Sequence, residues 1–265
     1  MTDDTEKVGY ADPFAETKYR KNFLKQVIAR VDFLSPLPGV DVAIPPRIAE
    51  LAIGMFPIAE PRDAFTQEYE FSPQGVKAAK EERFKEWLFH GRERTKTLTV
   101  GRQMLIVEHK SYDTYEVIKD EFIRVLNRVA ELEGAQPSRL GLRYVNVIEF
   151  PDEPRPTDWS AYLAPQLLSL FQFPPEQDRT ALSRVFHNIE FAFDTFNLRY
   201  RLGMHNPDYP ARIRQKLFVL DLDAYIKSAV DIKSVAHLLD DFHSTIQRYF
   251  EQSITADLRR IMNAG

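Results

Sequence analysis

Arg139-Leu140-Gly141-Leu142-Arg143-Tyr144-Val145-Asn146-Val147-Ile148-Glu149-Phe150 is the stretch on which the fold turns. In an extended chain it puts Leu140, Leu142, Tyr144 and Ile148 on one side and Val145 and Val147 on the other. Apolar side chains on both faces predict a strand covered on two sides, inside a sheet.

The residues just before it, 113–132, carry the most regular helical period in the chain. Ile118, Phe122, Val125, Val129 and Leu132 recur at steps of 4, 3, 4 and 3. Asp113-Thr114-Tyr115-Glu116 has the form of a capping box, Gly134 stands where a left-handed cap belongs, and Pro137 releases the chain into the strand. Just after the strand, residues 151–156 hold three prolines and read as a boundary.

Further toward the N-terminus, residues 23–34 alternate Val27, Ala29, Val31 and Phe33 with polar positions, a strand signal. Pro45-Pro46 opens a short helix over 47–55, which Pro57 and Pro61 end. Strands are expected at 65–71, 84–90, 95–100 and 103–109, with a hairpin turn at Gly101-Arg102 and a polar, mobile loop over 73–82. Residues 1–17 offer little periodic apolar surface and are expected to be a flexible tail.

Toward the C-terminus, a helix over 162–173 precedes a meander at 184–194, 197–205 and 211–223. A turn at Thr195-Phe196 would set Glu190 opposite Arg201 and Phe191 opposite Tyr200. A long amphipathic helix over 234–250 and a short one from Thr255 close the chain. The sum is an α+β fold of two similar halves, 18–150 and 151–265, each an antiparallel β-meander followed by a long amphipathic helix packed on the sheet.

Composition narrows the function classes. Of 265 residues, 44% are hydrophobic and 28% charged, as in an ordinary globular protein. Lys plus Arg is 35 against 39 for Asp plus Glu, a net charge of −4, so no global field draws the chain to nucleic acid or anionic lipid. With no cysteine there is no disulfide framework, thiolate nucleophile or Cys-ligated metal. The acidic start lacks a signal-peptide core and no apolar run reaches about 18 residues, so a cytoplasmic location without membrane contact is expected.

Candidate chemistry is sparse. Arg199 and Arg201 share one strand face, and Arg212, Arg214 and Lys216 share another; merged, the five cations would hold phosphates of a nucleotide or nucleic acid. The bland alternative is a solvated face laced with ion pairs. Arg143 and Asn146 sit inside an apolar strand, where a polar group is either paired or faces a pocket. Asp221 and Asp223 point the same way and would suit a divalent cation in a metal-dependent hydrolase, although strand ends often carry Asp to begin a turn. His237 and His243 lie six apart on one helix, about 240° around it, and cannot chelate one metal. No phosphate loop, nucleophile elbow or zinc-protease motif is present, and no cofactor is expected.

Four ordered segments carry a resemblance: Tyr19-Arg20-Lys21-Asn22-Phe23-Leu24-Lys25-Gln26-Val27-Ile28, Arg139-Leu140-Gly141-Leu142-Arg143-Tyr144-Val145-Asn146, Leu220-Asp221-Leu222-Asp223 and Phe250-Glu251-Gln252-Ser253-Ile254-Thr255. They resemble the signature segments of the sporadically distributed prokaryotic protein family of unknown function, over almost the whole chain. That resemblance implies an accessory or defence-related role and brings no catalytic set. The leading expectation is therefore a non-enzymatic binding or accessory protein acting through a protein partner or a homodimer.

Overall fold

The computed structural model describes residues 19–72 and 75–264, and their side chains except those of residues 67–81. The tail expected over 1–17 lies outside the described residues. In chain order the elements are β1 (Leu24–Phe33), α1 (Pro46–Met55), β2 (Ile58–Ser72), β3 (Gly75–His90), β4 (Lys96–Val100), β5 (Met104–His109), α2 (Tyr115–Val129) and β6 (Pro137–Phe150). They continue with α3 (Pro165–Gln172), α4 (Glu176–Arg179), β7 (Val185–Ala192), β8 (Asn197–Met204), β9 (Lys216–Ile226), α5 (Val235–Ser253) and α6 (Ala256–Asn263). The fold is mixed α+β, with one extensive antiparallel sheet in the order β2-β3-β4-β5-β1-β6-β9-β8-β7. Every neighbouring pair is antiparallel.

β6 lies inside the sheet, between β1 and β9. Its expected double cover is corrected: Leu140, Leu142, Tyr144 and Ile148 are buried, whereas Arg143, Val145 and Val147 are only half-buried. The reason lies in the helices, which supply the core on one side. Ile118, Phe122, Val125 and Val129 of α2, with Val235, Leu239, Phe242 and Ile246 of α5, are buried in the core that includes these β6 side chains. Tyr115 and Lys119 of α2 both bond Asp240 of α5, at 2.8 and 2.6 Å, joining the two helices. The other face of the sheet carries the charges.

Several local expectations shift. The capping box does not form: α2 starts at Tyr115 behind Thr114, which makes no side-chain cap bond. Gly134 does take a positive φ, 75°. The expected loop over 73–82 is largely strand, since β3 begins at Gly75 and pairs with β2 along its length. Pro61 sits within β2, which tolerates it as an edge strand. The β4–β5 turn moves one residue on, with Gly101 N–H bonding Met104 O at 2.9 Å. In the β7–β8 hairpin the turn falls at Asp194-Thr195, where Phe193 N–H meets Phe196 O, so Glu190 faces Arg199 and Phe191 faces Leu198. The slip is two residues, which changes the partners but keeps each side chain on its face.

Candidate functional site

Strand periodicity sends Arg143 of β6, Arg199 and Arg201 of β8 and Asp221 and Asp223 of β9 to the open face of the sheet, where their registers bring them together. Asp221 accepts both arms of Arg143 at 2.8 Å each and Arg201 Nη2 at 2.7 Å, so both its oxygens are engaged. Arg199 Nε donates to Glu190 at 2.7 Å. Asp223 is buried, with Arg139 at 3.9 Å. Burial pushes the Asp223 carboxyl up, and the nearby Arg139, Arg143 and Arg199 only partly oppose it. The paired aspartates thus meet guanidinium groups, and among the described residues no three metal-ligating side chains gather anywhere.

The five-cation patch is corrected. β9 starts at Lys216, five residues later than expected, because Asn206 ties residues 205–215 into a loop: its Nδ2 donates to Ser183 O at 2.9 Å and Ala211 O at 2.7 Å. Arg212 and Arg214 therefore leave the sheet and stand exposed beside a hollow of about 650 Å³, also lined by Arg155 and Arg179. Lys216 goes inward. Its side chain is 2% exposed and its Nζ donates to Arg155 O at 3.0 Å and to Asp158 O, with Glu153 at 3.7 Å. Burial pushes the ammonium down, against the pull of Glu153 and Asp158. It clamps the proline-rich 151–158 segment. Asn146 also separates from Arg143: three positions apart on a strand, they point to opposite faces.

The two margins of the sheet differ. β2 carries Glu60, Pro61, Arg62 and Asp63 in succession, and Glu60 and Arg62 are engaged by Arg94 and Glu86. Charge and proline are the usual protection of an edge. β7, Val185-Phe186-His187-Asn188-Ile189-Glu190-Phe191-Ala192, has neither proline nor lysine, and its single charge is taken by Arg199. Phe186 is 46% and Ile189 40% exposed. Phe171 of α3 stacks on His187 at 4.9 Å, and the same helix exposes Leu170 and ends at Phe173, which is 84% exposed.

Sequence reasoning missed a polar cluster on the helix face. His243 Nδ1 meets the Tyr144 hydroxyl at 2.9 Å, its ring stacks on Tyr115 at 4.0 Å, and Tyr112 reaches the same hydroxyl at 3.4 Å. Burial pushes His243 down to about 4, opposed by Glu116 and Asp240. A second buried cluster joins Glu121 to His109 at 2.8 Å and to Lys96. Burial raises the Glu121 carboxyl, but those two hydrogen bonds outweigh it and hold it below the usual range. The signal was available: Glu121 falls between Ile118 and Val125, and His243 between Leu239 and Ile246, polar residues on apolar helical stripes. Among the described residues no helix is long and apolar enough to cross a membrane. No protein-family model matches the chain, and no curated protein matches it.

Proposed function

We propose that this is a non-enzymatic binding protein that acts through strand addition at β7, with a second copy of the chain as the partner the edge itself selects. The observation that carries the reading is the contrast between the two margins of one sheet: β2 carries a proline and a run of charges, whereas β7 has no proline and a single charge, which Arg199 holds. Backbone groups of β7 that do not reach β8 point outward, a template for another strand. Being apolar and almost uncharged, β7 is complementary to itself, and an antiparallel β7–β7 contact about a two-fold axis would repeat one set of contacts on both sides. Leu170 and Phe173 would extend the covered surface beyond the strand.

Size-exclusion with light scattering and hydrogen exchange test this together. Wild type should run with the mass of two chains and protect the outward β7 amides, and Ile189→Lys should give a folded monomer. A wild-type monomer whose outward β7 amides exchange freely would overturn it.

We also infer that the scaffold consists of two similar halves. What supports this is the order of elements: β1, α1, the β2–β5 meander and α2 are matched by β6, α3, the β7–β9 meander and α5. β1 lies beside β5 as β6 lies beside β9, and β1 and β6 meet at the centre. This order favours a division between α2 and β6, ahead of the proline-rich 151–156. The resemblance to the sporadically distributed prokaryotic family fits an accessory component of a mobile or defence-related system, working in the cytoplasm.

A further inference from the structure

Arg212 and Arg214, displaced from the sheet by the Asn206-tied loop, flank Ile213, which is 4% exposed and whose N–H bonds Leu182 O at 2.7 Å. One side chain anchored in the core between two exposed ones fixes the course of this short segment. Both arginines line the hollow of about 650 Å³, a size that suits a small organic molecule. Residues 154–160, the end of α3 and α4 supply the rest of its wall.

The charges along this wall do not balance. Arg155 is matched by Asp158 at 2.9 Å, whose other oxygen accepts from the Ser160 hydroxyl at 2.6 Å. Lys216, behind the wall and 2% exposed, is countered by Glu153 at 3.7 Å. Arg179 is held by neutral acceptors, its Nε donating to Pro174 O at 2.9 Å and its Nη2 to Gln172 O at 2.7 Å. Among the described residues, Arg212 and Arg214 make neither a side-chain hydrogen bond nor an ion pair. Arg179, Arg212 and Arg214 thus stand against the single carboxylate of Glu176, a surplus of two positive charges among the described residues that line the hollow.

A second observation comes from Trp159, which lines the same hollow and is 1% exposed. Its Nε1 is buried without a hydrogen-bond partner. A buried indole N–H ordinarily finds an acceptor, since it can only donate. The wall therefore carries an unanswered donor as well as unanswered cations, and both deficits call for the same thing, a ligand rich in acceptor oxygens. Leu168, Leu182, Pro154 and Pro156 give the hollow an apolar side too.

We propose that the hollow between the 212–214 segment and α3 binds a small phosphate monoester with an apolar body. A phosphoryl dianion, carrying about −1.5 to −2 charges at pH 7, matches the surplus where a monocarboxylate would answer only half of it. Guanidinium groups offer paired donors to its oxygens, and the apolar side receives the organic part. This site does not rest on strand addition at β7.

The test uses phenyl phosphate, with inorganic phosphate, benzoate and an oligothymidylate as comparisons. Binding to the full chain is read by calorimetry and by the two indole N–H resonances. Trp87, which donates to Val40 O at 2.7 Å and lies outside the hollow, is the internal control. Phenyl phosphate should move the Trp159 signal and leave that of Trp87 in place. It should bind at least about tenfold more tightly than inorganic phosphate or benzoate. Arg212→Gln and Arg214→Gln, both at exposed positions, should each weaken it about tenfold, the loss expected for one charge-assisted hydrogen bond. Arg47→Gln, which removes the same charge from α1, should leave it unchanged. The proposal is overturned if phenyl phosphate at about 10 mM leaves the Trp159 signal still, if neither Arg212→Gln nor Arg214→Gln weakens it, if inorganic phosphate or benzoate binds as tightly, or if the oligonucleotide binds the same arginines more tightly.

Discussion

Replacing His243 by glutamine should remove a specific part of the protein's acid sensitivity. In the native state the imidazole is buried, accepts or donates one hydrogen bond with Tyr144 at 2.9 Å, and lies flat on Tyr115 at an interplanar angle of 6°. Burial is the main cause that carries its value from 6.5 down to about 4, Glu116 and Asp240 pulling the other way and Lys119 adding to the fall. The native value is the lower one, so as pH falls the unfolded chain takes up the proton first. Stability from this residue is therefore complete above about pH 6.5, is lost as pH falls toward 4, and changes no further below that. At ~1.4 kcal/mol for each pH unit of separation, the full loss is about 3 kcal/mol, most of which has gone by pH 4.5. Urea unfolding of wild type and His243→Gln at pH 7.5 and 4.5 measures it. Carboxylates such as Glu121 and Asp223 titrate in both proteins and cancel in the difference between the two pH dependences. Wild type should lose about 2–3 kcal/mol more than the variant. Parallel pH dependences, or a native His243 titrating near its ordinary value by NMR, would refute the reasoning.

Two further substitutions probe the sheet. A Cβ on Gly203 would stand 2.0 Å from Val185 O and 2.8 Å from Phe186 Cα, both backbone atoms that no rotamer change relieves. Gly203→Ala should therefore cost about 2–3 kcal/mol and raise hydrogen exchange in β7 and β8 ahead of the rest of the sheet; uniform exchange would contradict it. Asp221→Ala leaves Arg143 and Arg201 without their shared carboxylate. Because both guanidinium groups are about a third exposed, 35% and 37%, water recovers part of the loss. The expected cost is about 2 kcal/mol by denaturant unfolding, below the ~3–5 kcal/mol for a fully buried pair, and a neutral result would mean that the lattice is solvated.

Much of the fold was legible because it rests on local periodicity. β1, β6, α2 and α5 each bury a complete apolar stripe, and a stripe of Ile118, Phe122, Val125 and Val129 has only one packed solution, a helix with that face on the core. What could not be read was cover on the opposite face of β6. Val145 and Val147 are apolar and yet half-buried, and no pattern within the strand says whether helices lie on one side of a sheet or both. The long β2–β3 ribbon was hidden for a related reason: the polar sequence of 73–82 carries no periodic apolar signal, and polarity alone does not separate a strand from a loop.

The site was less legible, since its parts are assembled by topology from distant segments. Arg199, Arg201 and Asp221 were each visible, but the two-residue slip of β7 against β8 and the Asn206-tied loop decide who meets whom, and neither leaves a mark on hydrophobic periodicity. Parity alone, by contrast, already separated Arg143 from Asn146. An odd step along a strand sends them to opposite faces, so a single pocket beside both was excluded from the start. Followed through, that step assigns Arg143 to the charge lattice with Asp221 and leaves Asn146 facing the helices, where a buried amide must find either a partner or a cleft. Its Nδ2 reaches Leu220 O at 3.5 Å, and its side chain lines the cleft beside Tyr144 and His243.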